Sequence, residues 1–536
     1  MTTIASFLSR GRTPARPSND GVSAPSDAAA ALDPRWGTAA LTLAVLLGVA
    51  FRLRMLLVGR SLWLDETMLA LNICGRSFAG LFEPLDLDQG APIGFLILEK
   101  LAVMAFGPTE LALRLLPFLA SLATLALLYR FCATNLGRWE AIVAVALAGV
   151  SPALIYYSGE VKQYGIDVAV GLAILVLAAD AMRLGLSTGR AVGFALCGTA
   201  AVWVSHSSVF VLAAAGTTVI LNELWAGRRG RALAGVGVAA FWLANFAVVY
   251  VLTLKDLGQN QFLEDFWDAG FLPLIPTSPG DVRRYLGVGF GLFRTLFFNL
   301  QSDVDLSSKM EVVMGVGWMV GVATLAASRE RRPVLALLVG PIAVALLASM
   351  LHKYPLRDRL ALFTAAATLP TIAAGFVGLI RSRDRTGQAA GVALLACCLA
   401  LPSLQAIQFL AERPKLHGAR NVLTGLARDW RPGDVAVVDR FSAPPFDFYQ
   451  TYGGIPGLDK IRPVALDKDE LTDPRTLARE IHAHSGQPRV WFILEADLSD
   501  KSDAHRQALK AILDDGGESL ATHSSRRYSA NLYHIR

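Results

Sequence analysis

The stretch GTAALTLAVLLGVAFRLRMLLV, residues 37–58, is an apolar run in which Arg52 and Arg54 are the only charged side chains. About 20 predominantly apolar residues suffice for one helix to cross the hydrocarbon core of a bilayer. The run is longer than the core of a signal peptide and lacks a convincing small-residue cleavage site after it, so we predict a retained membrane anchor.

The rest of the chain repeats this pattern. Of its 536 residues, 53% are hydrophobic and only 18% are charged, and the mean hydropathy of +0.44 excludes a disordered chain and a soluble single-core enzyme. We therefore predict a mainly α, polytopic membrane protein with about eleven transmembrane helices. The predicted spans after the first are residues 109–131, 139–155, 166–182, 191–204, 208–225, 232–254, 312–327, 334–351, 360–380 and 390–410.

Charge and cysteine content exclude two further classes of function. The formal net charge is +6, but Lys and Arg occur in short groups between apolar runs, which is typical of membrane loops and not of a nucleic-acid surface. The five cysteines, four of them in or beside apolar runs, show neither a disulfide framework nor a metal-ligand spacing. We expect no nucleic-acid partner and no cysteine chemistry.

Composition divides the chain into three parts. Residues 1–36 are rich in Ser, Pro, Ala and Asp and predict a disordered tail, and residues 37–410 form the transmembrane domain, with longer loops at 59–108 and 255–311. Residues 411–536 lack long apolar runs and predict a small soluble α/β domain. Its buried strands are expected at 434–439 and 489–494, and its amphipathic helices at 475–484 and 503–514.

The placement of Arg residues predicts the orientation. Arg pairs and triplets lie on every second loop, and such loops are expected to be cytoplasmic. With eleven spans, the N-terminal tail is then cytoplasmic and the C-terminal domain periplasmic, in a bacterial inner membrane. Arg52, Arg54 and Arg60 lie at the outer end of the first span, where this rule disfavours them, and we expect an anionic partner there.

Chemically unusual residues fall on the predicted outer side. Asp65 and Glu66 follow an apolar turn, and the carboxylates either complement a helix N-terminus or hold a functional charge at the membrane interface. Glu160 and Lys162 either form an ordinary ion pair or take part in the site. Further outer residues are His206, whose hydrogen-bonding groups a tight turn would satisfy, and Arg357 and Arg359, whose charges on the outer side favour anion binding.

These residues carry a resemblance to the C-type (GT-C) membrane glycosyltransferases. The segment SPALIYYSGEVKQY at 151–164 is similar to the family signature SP-x-x-x-YY-x-x-E-x-R-x-Y, and YPLRDRLALF at 354–363 resembles a late Arg-containing motif. The nearest branch is that of the protein mannosyltransferases, aminoarabinose transferases and Rgt-like enzymes. Lys162 stands where the family usually has Arg, and Ala91 stands where it has His.

The resemblance implies transfer of a sugar, with inversion, from a polyprenyl-phosphate donor to a lipid, glycan or protein acceptor on the outer face. Asp65 would be the general base and Glu66 would orient the acceptor or assist. The donor phosphate and sugar would be bound by the outer-loop residues Glu160, Lys162, Tyr164, Arg357 and Arg359. Some members of the family use a divalent ion, but this sequence offers no convincing ligand set, so we predict that no metal or other cofactor is required.

Two other functions stay open at this stage. A transporter or flippase of a lipid-linked or anionic substrate would also combine many spans with buried charges, although its ionisable residues usually lie near the bilayer midplane. A non-catalytic assembly subunit would use the soluble domain to bind envelope partners. For the domain at 411–536 itself, we expect a role in acceptor binding or as a lid.

Overall fold

The computed structural model describes residues 34–297, 307–411, 418–466, 473–495, 503–525 and 528–536. The predicted N-terminal tail lies outside these residues except for its last three, which begin the first helix at Pro34.

The helical part precedes the sheet in the chain. Its helices are α1 Pro34–Leu57, α2 Leu64–Gly75, α3 Ile93–Phe106, α4 Glu110–Asn135, α5 Arg138–Val150, α6 Pro152–Tyr156, α7 Tyr164–Leu184, α8 Thr188–Val204, α9 Ser208–Trp225, α10 Arg229–Val249, α11 Lys255–Leu257, α12 Gln261–Phe266, α13 Pro279–Arg294, α14 Ser307–Ala327, α15 Arg332–Met350, α16 Ala365–Ile380 and α17 Arg385–Ala411.

All eleven predicted spans coincide with helices. Among the described residues, nine helices are long and apolar enough to cross a membrane, namely α1, α4, α7, α9, α10, α14, α15, α16 and α17. A tenth predicted span coincides with the pair α5 and α6, which is bent by 62° where Ser151 caps α6 and Pro152 opens it. The eleventh, α8, is apolar but only 17 residues long. The prediction of a mainly α, multi-pass membrane protein is confirmed.

The C-terminal part contains a five-stranded sheet in the order β2-β1-β3-β5-β4. Strands β1 and β2 and strands β1 and β3 are parallel, whereas β5 is antiparallel to β3 and β4. The elements are α18 Ala419–Asp429, β1 Val435–Asp439, α19 Ala443–Thr451, β2 Val464–Leu466, α20 Pro474–Ala483, β3 Val490–Glu495, α21 Asp503–Gly516, β4 Gly517–Ser524 and β5 Tyr528–Ile535. The predicted α/β domain is confirmed.

The two faces of this sheet have different partners. One face packs against α20 and α21 and forms its own apolar core, with Phe492 and Leu477 as members. The other face carries Trp491 and shares a single apolar core with α2 and α3, through side chains such as Leu69 and Phe95. The sheet is therefore docked on the loop region that follows α1.

Within the bundle, α14 and α16 cross at a point where glycines remove the side chains. A Cβ atom on Gly321 of α14 would collide with the carbonyl oxygen of Thr371, and one on Gly375 of α16 would collide with the carbonyl oxygen of Gly317. Small residues let the backbones of membrane helices approach closely. This contact helps to bury α16, almost all of which is inside the molecule.

Gly321→Ala tests this helix crossing. The added methyl group meets backbone, which cannot rotate away, so we expect a loss of about 1–3 kcal/mol of stability, as for other overpacked sites. The matched control is Gly237→Ala in α10, because a Cβ there meets nothing within 4 Å. Thermal unfolding in detergent should show a lower Tm for the first variant only; an equal Tm for both would contradict the close crossing.

Candidate functional site

Asp65 and Glu66 occupy the first turn of α2. Successive residues of an α-helix are rotated by about 100°, so the two carboxylates point to different sides. Each meets its own pair of cationic side chains, and the two groups have different geometry and exposure.

Glu66 is fully buried between two arginines. Its Oε2 lies 2.7 Å from Arg60 and 3.0 Å from Arg114, and its Oε1 accepts the backbone N–H of Val161 at 3.0 Å. Burial raises the pKa of Glu66, but the charges of Arg114 and Arg60 outweigh it and leave the pKa below its ordinary value. Glu66 is therefore an ionised anchor that joins α2, α4 and the turn at Val161.

Asp65 contacts the two other cations. Lys162 Nζ lies 2.9 Å from its Oδ1 and Arg359 lies 2.6 Å from its Oδ2; Lys162 also donates to Gln89 Oε1 at 2.7 Å. Burial raises the pKa of Asp65, yet the charges of Arg359 and Lys162 hold it well below the ordinary range. The structure thus brings Lys162 and Arg359, which lie in the two family-like motifs, together with the predicted carboxylate Asp65.

The two cations come from distant parts of the chain. Lys162 lies in the turn before α7, and its side chain is 5% exposed. Arg359 lies in the 3-10 helix Asp358–Thr364, whose start is fixed by the Tyr354 hydroxyl, which donates to the Leu360 carbonyl at 2.9 Å. The fold, and not proximity in sequence, places both beside Asp65.

Aromatic rings surround the Arg359 guanidinium. It lies 5.7 Å from the ring centre of Tyr164 and 5.5 Å from that of Trp267. Such rings favour a nearby cation while excluding water. Tyr164 therefore belongs to the site through its ring, and Trp267 joins it from the loop after α12.

Arg357 lies apart from this cluster. Its side chain is half exposed and pairs with the neighbouring Asp358 at 3.2 Å. Asp358 adopts a φ of 48°, and this left-handed residue separates the outward Arg357 from the inward Arg359. The two arginines predicted together therefore have different surroundings.

Glu160 is buried next to the cluster without pairing with Lys162. Its Oε1 accepts the Trp63 indole N–H at 3.1 Å, and its Oε2 has no hydrogen-bond partner within the described part of the chain. Burial and the charge of Glu66 raise the pKa of Glu160 to about 7, against the opposing effect of Arg60. This carboxyl group can change protonation near neutral pH.

A second polar cluster, which we did not predict as part of the site, lies at the start of α7. Asp167 lies beside the hydroxyl groups of Ser205 and Ser207, and its Oδ1 is buried without a partner in the described residues. His206 lies in the same turn, and burial lowers its pKa to about 4. An Asp within an apolar run was the sequence signal for this cluster.

The arginines near the end of α1 have protein partners. Arg52 donates to Ser121 Oγ at 2.6 Å and to the Ala148 carbonyl at 3.0 Å, and Arg60 is paired with Glu66. Arg114 was not predicted as functional, although a cation in an apolar run is a signal. In the described ranges, no group of three or more His, Cys, Asp or Glu side chains could hold a metal ion.

Comparison with known proteins identifies the fold. No protein-family model and no curated protein matches the chain. Crystal structures of ArnT from Cupriavidus metallidurans do match, in the apo state with a TM-score of 0.51 and bound to undecaprenyl phosphate with 0.50. In both, the identity is 12% over 93% of this chain and 98% of that chain. ArnT is a GT-C aminoarabinose transferase, so the predicted GT-C fold is confirmed.

Glu66→Gln tests the buried anchor. Removing the charge leaves Arg60 and Arg114 buried without a counter-charge, and the new amide N–H groups face arginine donors, so we expect a loss of about 3–5 kcal/mol of stability. The control is Glu83→Gln, at an exposed position of the same loop region. Thermal unfolding in detergent should show a large drop in Tm for the first variant and none for the second; equal curves would refute the anchoring role.

Glu160→Gln tests the raised pKa. Because the native pKa of about 7 exceeds the ordinary value of 4.5, the native state keeps this proton when the unfolded state has lost it. The wild type should therefore lose stability, relative to the non-titrating variant, as pH rises from about 4.5 to about 7. Tm measured between pH 5 and pH 8 should show this widening difference, which is absent for Glu83→Gln; a constant difference would exclude the shift.

Proposed function

We propose that the chain is a membrane glycosyltransferase that moves a sugar from a polyprenyl-phosphate-linked donor to an envelope acceptor, either a lipid, a glycan or a protein. The observation that carries the proposal is the partly buried Asp65 carboxylate beside the cations Lys162 and Arg359. The fold shared with ArnT supports it, since one of the matching structures is bound to undecaprenyl phosphate. From the distribution of Arg, we assign the reaction to the outer face of a bacterial inner membrane.

In the proposed reaction, Asp65 is the general base. The acceptor hydroxyl oxygen forms a bond to the anomeric carbon while the bond from that carbon to the phosphate oxygen breaks, with inversion. The acceptor proton passes to Asp65, and the bonding electrons leave with the lipid phosphate. A phosphate is a stable anion that needs no proton on departure, so one carboxylate suffices where a glycosidase needs two.

Lys162 and Arg359 would bind the donor phosphate. Negative charge gathers on this group as it leaves, and fixed cations in a buried site stabilise that charge strongly. The aromatic rings of Tyr164 and Trp267 beside Arg359 limit the access of water to the same place. No metal is needed in this scheme because the two side chains supply the positive charge.

Because Asp65 and the donor phosphate share the same cations, the basicity of Asp65 would depend on donor binding. Before the donor binds, Arg359 and Lys162 hold the pKa of Asp65 well below the ordinary range, so the carboxylate is a poor base. The phosphate of a bound sugar donor brings negative charge and competes with Asp65 for Lys162 and Arg359. Both effects raise the pKa of Asp65. Asp65 would thus become basic when a sugar is in place.

The other buried polar residues, together with Arg357, receive supporting roles. Glu160 Oε2 and Asp167 Oδ1 are buried without partners in the described residues, and we assign them to hydrogen bonds with hydroxyl groups of the sugar or acceptor. Glu66 would hold the turn that carries Asp65. Arg357, on the exposed side of its turn, would attract the donor phosphate as it approaches.

Asp65→Asn tests the proposed function. The variant keeps the shape of the side chain but cannot accept the proton, so we expect transfer to fall by about 10²–10⁴-fold while donor binding persists. The assay uses purified protein in nanodiscs with a panel of labelled polyprenyl-phosphate sugars and membrane-extract acceptors. The matched control, Asp86→Asn, changes an exposed aspartate of the same loop region and should keep full activity.

Two results would contradict the proposal. If the wild type moves labelled donor between leaflets without transferring sugar, the protein is a transporter. If Asp65→Asn and Asp86→Asn transfer sugar at the same rate, Asp65 is not the base.

A further inference from the structure

The C-terminal domain touches the loop that carries Asp65 through one tyrosine. Tyr449 of α19 is completely buried. Its hydroxyl oxygen accepts the backbone N–H of Leu62 at 2.7 Å and donates its proton to Glu110 Oε1 at 3.0 Å. A phenol hydroxyl can do both at once, so this single group joins the C-terminal domain, the loop and the first turn of α4.

Arg420 of α18 makes a second connection beside the first. Its guanidinium lies 2.6 Å from Glu110 Oε2 and 5.4 Å from the ring centre of Tyr449. Its backbone N–H donates to Ser61 Oγ at 3.1 Å. The two carboxylate oxygens of Glu110 therefore contact two residues of the C-terminal domain, Oε1 contacting Tyr449 and Oε2 contacting Arg420.

The same loop is held from its other side by α4. Arg114, one helical turn after Glu110, donates to the carbonyl of Arg60 at 2.8 Å and pairs with Glu66. Residues four apart lie on the same face of a helix. The turn from Arg60 to Leu62 is thus fixed between this face and Tyr449, three residues before Asp65.

We propose that Tyr449 is a positioning residue, through which the C-terminal domain sets the place of Asp65 relative to Lys162 and Arg359. This inference rests on the proposed function for its catalytic consequence. Without the hydroxyl, the buried N–H of Leu62 loses its acceptor, and an unsatisfied buried donor favours a shifted loop. Errors of about 1 Å at a reacting group lower turnover by about 100-fold.

The apolar contacts around Tyr449 support a permanent arrangement. Leu62 and Leu69 of the loop region share one buried core with Leu423 and Phe446 of the C-terminal domain. Such a core keeps the domain docked, but apolar contacts are not directional. The position of the loop is therefore set by the hydrogen bonds of Tyr449. The domain therefore acts as part of the site and not as a lid.

The test is Tyr449→Phe in the full-length protein. The matched control is Tyr533→Phe, since Tyr533 is also a buried residue but its hydroxyl donates to Asp514 inside the C-terminal domain, at 2.8 Å. Both variants lose a hydroxyl that makes a hydrogen bond, so both should lower Tm, and Tyr449→Phe should lower it more because the buried N–H of Leu62 loses its acceptor. Only Tyr449→Phe should lower kcat for transfer, by about 10–100-fold, with the KM for donor and the binding of donor nearly unchanged.

A readout that does not need activity is hydrogen exchange of the peptide covering residues 60–68. Tyr449→Phe should increase amide exchange in this peptide, and Tyr533→Phe should leave it at the wild-type rate. Equal exchange in Tyr449→Phe and wild type would overturn the inference. So would increased exchange with unchanged kcat, because the loop would then move without moving the base.

The two proposals fail separately. If the wild type transfers no sugar from any donor, the proposed function is wrong, and hydrogen exchange alone decides whether Tyr449 holds the loop. If the wild type transfers sugar and both tyrosine variants lose activity only in proportion to their folded fraction, Tyr449 has a structural role and the positioning inference is wrong.

Discussion

The ion pairs of Glu66 with Arg60 and Arg114 are the interaction on which the arrangement of the site depends. Burying three charges is expensive, and it is tolerated only where geometry and additional hydrogen bonds satisfy the groups. Here Glu66 also accepts the N–H of Val161, and Arg114 also donates to the carbonyl of Arg60. Three segments that are far apart in the chain are thereby fixed around one carboxylate.

The cationic partners of Asp65 are more exposed to solvent than those of Glu66. The partners of Glu66 are fully buried and also donate to backbone carbonyls. Those of Asp65 are a lysine that also donates to Gln89 and an arginine whose side chain is 20% exposed. A fully buried charge cluster beside a more accessible one would suit the proposed binding and release of an anion, and adjacent positions of one helix provide both.

Much of the fold could be predicted from the sequence, because hydropathy and strand patterns are local signals; all eleven predicted spans and both predicted strands coincide with observed elements. The motifs also located Asp65, Lys162 and Arg359, which the structure brings together. Local patterns did not predict which of two arginines faces inward, since that depends on the left-handed backbone of Asp358. Tyr449 carried no signal, because its partner Leu62 is 387 residues away.

The position of Glu110 and Arg114 on one helical turn connects the C-terminal domain to the charge cluster. Arg114 belongs to the charge cluster of Glu66 and Glu110 receives both C-terminal contacts, so displacement at one residue is carried to the other by a rigid helix turn. Residues four apart lie about one turn apart on the same face of an α-helix. Docking of the sheet and placement of the cluster therefore depend on the same turn of α4, which is how a domain without catalytic motifs would constrain the proposed base.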